Sequence, residues 1–237
     1  SGYNLIPDAL LVHQNLLRVE LLVDERGLQV LPLTKLAGVL VTHEMQLVDG
    51  DCSRWDEGWL PPLVRPPGPG RQLDVVLRGS WPVRCERMLA LNVIERNDFI
   101  ARLLRPLWAE LGGRWRGPVR DGVTPADARV LAEHASRPLS ELVRAINKPS
   151  DNAFTRTLYL ALGRASPGDA GEPTQQRAER AVRAWFRSRG IDDSGLVLDN
   201  GSGLSRSERI TPAQLEAVVR AGLASRWAPE FLASLPI

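Results

Sequence analysis

The sequence predicts an α+β chain in two parts, a β-rich module over residues 1–90 and an alternating α/β part over 91–237. Short Leu- and Val-rich runs separated by turn residues fill the first part. From Asn97 onward, apolar residues fall instead at helical spacing behind capping residues. The length of 237 residues fits one large domain or two small ones, at roughly 100–200 residues each. No internal repeat or low-complexity segment interrupts this pattern.

In the first part, Ala9–Val12, Leu16–Val23, Gln29–Leu33 and Gly38–Thr42 read as strands, and Asp24-Glu25-Arg26-Gly27 reads as a turn. Leu60-Pro61-Pro62 through Pro69-Gly70 is proline-rich. Proline has no N–H and a fixed φ, so this stretch is expected to be an exposed loop rather than a ladder. Leu73–Arg78 alternates towards a further strand.

In the second part, Asn97 can cap a helix over Asp98–Leu111, with Phe99, Ile100, Leu103, Leu104, Leu107, Trp108 and Leu111 on one face. Pro106 should kink it, and Gly112-Gly113 should end it. Arg114–Val119 and Ala128–His134 look strand-like. Ser136 can cap a helix over Pro138–Ile146, and another helix should run from about Ser150 to Leu162. Gly163–Pro173 is a loop of small residues. Gln175–Arg189 is an amphipathic, arginine-rich helix that Gly190 closes, and Leu196–Leu198 is a short strand. Thr211-Pro212-Ala213-Gln214 is a capping box with proline at the first helical position, launching a helix to about Leu223.

Composition excludes several classes. The hydrophobic fraction is 43% with 24% charged residues, as in globular proteins and unlike disordered ones. A net charge of +2 lacks the basic excess of a dedicated nucleic-acid binder. There is no run of eighteen apolar residues to span a membrane. The opening residues carry no basic region followed by an apolar one, so a signal peptide is expected to be absent or already removed. His13, His43 and His134 are scattered, and two cysteines cannot furnish a four-ligand zinc site, so neither metal nor cofactor is expected. Cys52 and Cys85 read equally well as a disulfide or as two buried thiols. The two lysines, Lys35 and Lys148, matter most, because any lysine-dependent mechanism must use one of them.

Two motifs carry chemistry. Ser150-Asp151-Asn152 opens a predicted helix, placing a hydroxyl able to relay a proton beside a carboxamide able to hold a peptide carbonyl. Taken alone, these residue types equally suit plain helix capping. Asp199-Asn200-Gly201-Ser202-Gly203-Leu204-Ser205-Arg206 follows about fifty residues later and leads to Ile210-Thr211-Pro212. It is neither a phosphate-binding glycine loop nor a nucleophile elbow.

Together the two motifs resemble the low-molecular-mass class C penicillin-binding proteins, the periplasmic serine D-alanyl-D-alanine carboxypeptidases and endopeptidases. The resemblance runs along nearly the whole chain. It includes Tyr3–Val12, Asp51-Cys52, Leu77–Pro82 with Cys85, Trp108–Gly113 with Gly117–Gly122, and Pro138–Leu142. It implies a β-rich inserted module followed by part of a transpeptidase-like catalytic domain, a Cys52–Cys85 disulfide and a periplasmic location. It also implies peptidoglycan stem peptides as substrate and β-lactams as ligands of the complete protein. Ser150 would relay a proton to the departing D-alanine, and Asn152 would hold the substrate amide. Ser202 and Arg206 belong to the second motif without an assigned role.

The family's nucleophile sits in Ser-x-x-Lys and its carboxylate-binding strand carries Lys-Thr-Gly or His-Thr-Gly. Neither occurs here. Pro32 stands three residues before Lys35 and Ala145 three before Lys148, and no lysine or histidine precedes Thr-Gly. The expectation is an internal segment of such an enzyme, inactive alone and prone to self-association. The alternative is a non-catalytic cell-wall or partner-binding module of the same fold.

Overall fold

A computed structural model describes residues 6–8, 10–66, 72–169 and 171–235. Among the described residues the chain divides into two compact units, one over Leu10–Asp127 and the other from Ala128 onward together with residues 6–8.

The first unit holds two sheets. Strands β1 (Leu17–Asp24) and β2 (Gly27–Pro32) form an antiparallel hairpin, and β7 (Arg87–Leu91) pairs with the other edge of β1. Gly27 takes φ +102° at the tight turn, where a side chain would be strained. Strands β3 (Val39–His43) and β4 (Gln46–Val48) pair in parallel with successive halves of β6 (Leu73–Pro82), while β5 (Trp59–Arg65) runs antiparallel along β6. Alternation along β1 sends Leu17, Val19 and Leu21 inward, where they join Val75, Leu77 and Trp81. Cys52 and Cys85 are disulfide-bonded. Beside them the Trp81 indole donates to the Cys85 carbonyl (2.9 Å), and Trp55 and Trp59 lie 5.5 and 6.4 Å from the Trp81 ring.

Helix α1 (Arg96–Glu110) belongs to this unit, although the sequence placed it in the second part. Its Phe99 is fully buried in the core of the sheets. Its cap is Glu95, which accepts from the Asp98 amide (3.0 Å), rather than Asn97. The helix continues through Pro106. Proline there leaves the Arg102 carbonyl without its helical donor, and the Ala37 amide supplies a replacement at 3.0 Å. The Arg102 guanidinium in turn holds the Ala37 and Gly38 carbonyls (2.9 and 3.0 Å).

Expectations about strands change at four places. Val12–Asn15 is a single 3-10 turn, with His13, Gln14 and Asn15 left-handed, rather than the end of a strand. Both edges of β1 are already occupied by β2 and β7. Ala9 lies outside the described residues. The proline-rich stretch, expected as a loop, supplies β5: Pro61 and Pro62 fall where the register with β6 shifts between Leu60 and Leu63, so no ladder bond is required of them. Residues 67–71 lie outside the description. Arg114–Val119 and Ala128–His134 form no strand, because no described segment offers them a partner.

The second unit is helical among the described residues, with α2 (Leu139–Asn147), α3 (Asn152–Ala165), α4 (Thr174–Ser188), α5 (Pro212–Leu223) and α6 (Ala228–Ser234). Helices α3 and α4 approach closely at Gly163, where a Cβ would come within 2.1 Å of the Thr174 carbonyl. Leu196–Leu198, expected as a strand, contributes an isolated bridge between Val197 and Arg209. The Ser136 hydroxyl bonds the Arg137 carbonyl instead of capping α2, which starts after Pro138. The capping box of α5 forms as read: Thr211 accepts from the Gln214 amide (3.2 Å), and Gln214 returns an acceptor to the Thr211 amide (2.9 Å). Buried Gln214 also donates to the Asp192 and Ser194 carbonyls (both 2.9 Å), pinning α5 to the segment after α4.

Candidate active site

Ser150 closes α2. The Asp151 amide reaches back to the Ile146 carbonyl (2.9 Å) and the Ser150 amide to the Asn147 carbonyl (3.2 Å). These two bonds define a Schellman closure, whose left-handed position normally takes glycine. Ser150 occupies it at φ +58° and is solvent-exposed. A left-handed backbone costs an L-residue about 1–2 kcal/mol. Asp151 then starts α3 directly, its carboxylate accepting from the Phe154 amide (3.0 Å). Asn152, the first residue of α3, is buried. The capping expected of Ser-Asp-Asn therefore falls to Asp151, which leaves Ser150 outside the helix and Asn152 inside it.

The second motif forms a closed loop. Its base is the bridge between Val197 and Arg209, with N···O distances of 2.9 and 3.0 Å. Inside, the Ser202 hydroxyl donates to Asn200 Oδ1 (2.5 Å) and accepts from the Leu204 amide (3.2 Å). Both of these Ser202 hydroxyl bonds lie within the loop and shape it. Arg206 is exposed, and its carbonyl accepts from the Arg209 guanidinium (2.6 Å).

Two residues with no signal of their own in the sequence organise this loop. Glu208 Oε1 accepts from three successive amides, those of Asp199 (3.3 Å), Asn200 (3.2 Å) and Gly201 (3.1 Å). Tyr159 of α3 packs on Gly201, where a Cβ would come within 2.8 Å of the Tyr159 Cβ. Tyr159 lies seven residues after Asn152, hence on the same helical face and about 10 Å along the axis. The structure therefore brings the loop to the S-D-N helix, two turns from the motif itself. Tyr159 Oη is buried and without a hydrogen-bond partner among the described residues. Burial, reinforced by the Glu179, Glu208 and Asp199 carboxylates, pushes its hydroxyl up to about 12. Gln175 of α4 adds a third anchor, donating to the Asp199 carbonyl (2.7 Å).

Sheets and helices arranged in this way define a penicillin-binding fold. A crystal structure of penicillin-binding protein 4 (dacB) from Haemophilus influenzae, complexed with a β-lactam, superimposes with a TM-score of 0.61 at 19% identity, covering 94% of this chain and 50% of that one. The D-alanyl-D-alanine carboxypeptidase of Actinomadura sp. (strain R39) is 30% identical over 167 residues, 69% of this chain and 30% of its own length. The D-alanyl-D-alanine carboxypeptidase DacB of Haemophilus influenzae is 30% identical over 157 residues, 62% of this chain and 32% of its own length. The chain matches about a third of the length of these curated relatives. The profile of the D-Ala-D-Ala carboxypeptidase 3 (S13) family matches residues 2–237. The chain belongs to that family.

Proposed function

We propose that this chain is part of a periplasmic serine D-Ala-D-Ala carboxypeptidase/endopeptidase acting on peptidoglycan stem peptides, and that residues from Ala128 onward are its share of the catalytic domain. The observation that carries this is Ser150-Asp151-Asn152 at the start of α3, within a family match spanning residues 2–237. In the reaction, a serine outside this chain attacks the carbonyl of the penultimate D-alanine, and the lysine beside it takes the hydroxyl proton. The Ser150 hydroxyl passes a proton to the nitrogen of the departing D-alanine as the peptide C–N bond breaks, and water later hydrolyses the acyl-enzyme. Asn152 holds the substrate amide. β-Lactams would acylate the same absent serine.

The test compares the 237-residue chain with the full-length protein. The full-length protein should release D-alanine from a diacylated L-Lys-D-Ala-D-Ala peptide and be labelled by a fluorescent penicillin, whereas the 237-residue chain should not be labelled. Ser150→Ala in the full-length protein should lower turnover by about 10²–10⁴-fold. Labelling of Ser150 or Ser202, or a full-length protein that releases no D-alanine, overturns the reading.

A further inference from the structure

We propose that Glu208 is a positioning residue: it holds the Asp199–Arg206 loop against helix α3 and so fixes the helix that begins with Asn152, two residues after Ser150. Three observations meet at this point. The first is the seat of the carboxylate. One oxygen receives three consecutive backbone N–H groups from the start of the loop, a small anion-holding concavity of the kind successive amides form. Hydrogen bonds to a charged acceptor are stronger than neutral ones and leave their donors costly to strand. Glu208 is adjacent to Arg209, which closes the base of the loop on Val197, so the carboxylate braces the loop from its own far end.

The second observation is what the seat holds. Gly201 has φ +75° and lies so close to Tyr159 that any side chain there would overlap the ring. The Glu208 bond to the Gly201 amide (3.1 Å) therefore fixes the residue that touches α3. The third concerns the Tyr159 hydroxyl, which has no hydrogen-bond partner among the described residues and so does not itself tie the loop down. Loop and helix are held by packing of Gly201 on Tyr159, and the packing is held by Glu208. The Gln175 bonds to Asp199 secure the loop to α4 instead.

This inference rests on the proposed reaction for its kinetic consequence only. Glu208→Ala and Glu208→Gln are compared with Glu216→Gln, a change on exposed α5 where Glu216 pairs with Arg220. Amide hydrogen exchange on the 237-residue chain should be accelerated about tenfold or more at Asp199, Asn200 and Gly201 in Glu208→Ala. It should be nearly wild-type in Glu208→Gln, whose amide oxygen still accepts, and unchanged in Glu216→Gln. In the full-length protein, kcat per penicillin-titrated site should fall about 10–100-fold in Glu208→Ala, more than KM rises, since displacing the Asn152 amide anchor and the Ser150 relay before it damages the transition state more than ground-state binding. Glu208→Gln should recover most of it. A purely structural role would instead lower the titratable fraction and leave kcat per site intact, and that result overturns the proposal. So does unchanged exchange at the three amides, or faster exchange with normal kcat. If the wild-type full-length protein releases no D-alanine, the proposed reaction fails, while the exchange arm still decides whether Glu208 seats the loop.

Discussion

Ser150 stands where two demands conflict. The Schellman closure of α2 asks for glycine at φ > 0, while the proposed chemistry asks for a hydroxyl between α2 and α3. Ser150→Gly should therefore stabilise the chain by about 1 kcal/mol, raising Tm by about 2–4 °C for a chain of this size, while abolishing proton relay in the full-length protein. Thermal unfolding beside D-alanine release checks both, and an unchanged or lower Tm would show that the left-handed turn carries no strain. Tyr159 makes a second residue-level case. The chain has two tyrosines, Tyr3 and Tyr159. Burial first, then the Glu179, Glu208 and Asp199 carboxylates, hold the Tyr159 hydroxyl protonated up to about 12. Its folded pKa is raised above the unfolded value, so its contribution to stability is complete below pH 10 and is lost as pH rises from 10 towards 12. Phenolate absorbance should show a late step that Tyr159→Phe removes, and coincident ionisation of both tyrosines in the folded chain would refute the buried placement.

At the scale of elements, the sequence was legible wherever local chemistry decides. The hairpin turn at Asp24–Gly27, the Thr211 capping box and the Gly190 stop are set by residues within a few positions of one another, and each formed as read. Misreadings arose where a partner far along the chain decides. Pro61 and Pro62 looked incompatible with a ladder, yet β6 tolerates them at a register shift. Asn97 and the apolar face behind it suggested a helix of the second part, yet the carbonyl that Pro106 orphans finds the Ala37 amide, and α1 belongs to the first unit with Phe99 in its core. The apolar run ending Leu10-Leu11-Val12 suggests a strand, but none of these three residues lies in one, and both edges of β1 are taken by β2 and β7. The candidate site divides in the same way. Ser150 and Asn152 were readable because their triplet is local. Glu208 and Tyr159 were not, because nothing in Ser207-Glu208-Arg209 announces three amide donors eight residues upstream. The spacing of seven from Asn152 to Tyr159 was the one available clue, placing both on one helical face.

At the scale of the whole molecule, the two units meet in sequence at Asp127–Ala128, inside a stretch without regular structure. The near side of that stretch is tied to α1: Arg105 donates to the Gly117 carbonyl (2.7 Å) and stacks over Trp115, and Arg96 pairs with Asp121. Beyond it, residues 122–138 are exposed throughout, including Val123 at 95% and Leu131 at 86%. Protease access requires local chain that can leave its contacts, and such chain is cheapest to open where it buries little. Arg129 is the arginine nearest the junction. Brief trypsin treatment should therefore cut after Arg129 before any site within the strands β1–β7 or the helices α1–α6. It should leave two persistent pieces, the N-terminal one retaining the Cys52–Cys85 disulfide. Mass spectrometry of the first products decides the matter. Early cutting at Arg87 or Arg183 would mean that the sheets or the α3–α4 pair open as readily as the junction. A junction left intact would mean that Ala128–His134 is protected in solution, as a strand paired with a neighbour would be.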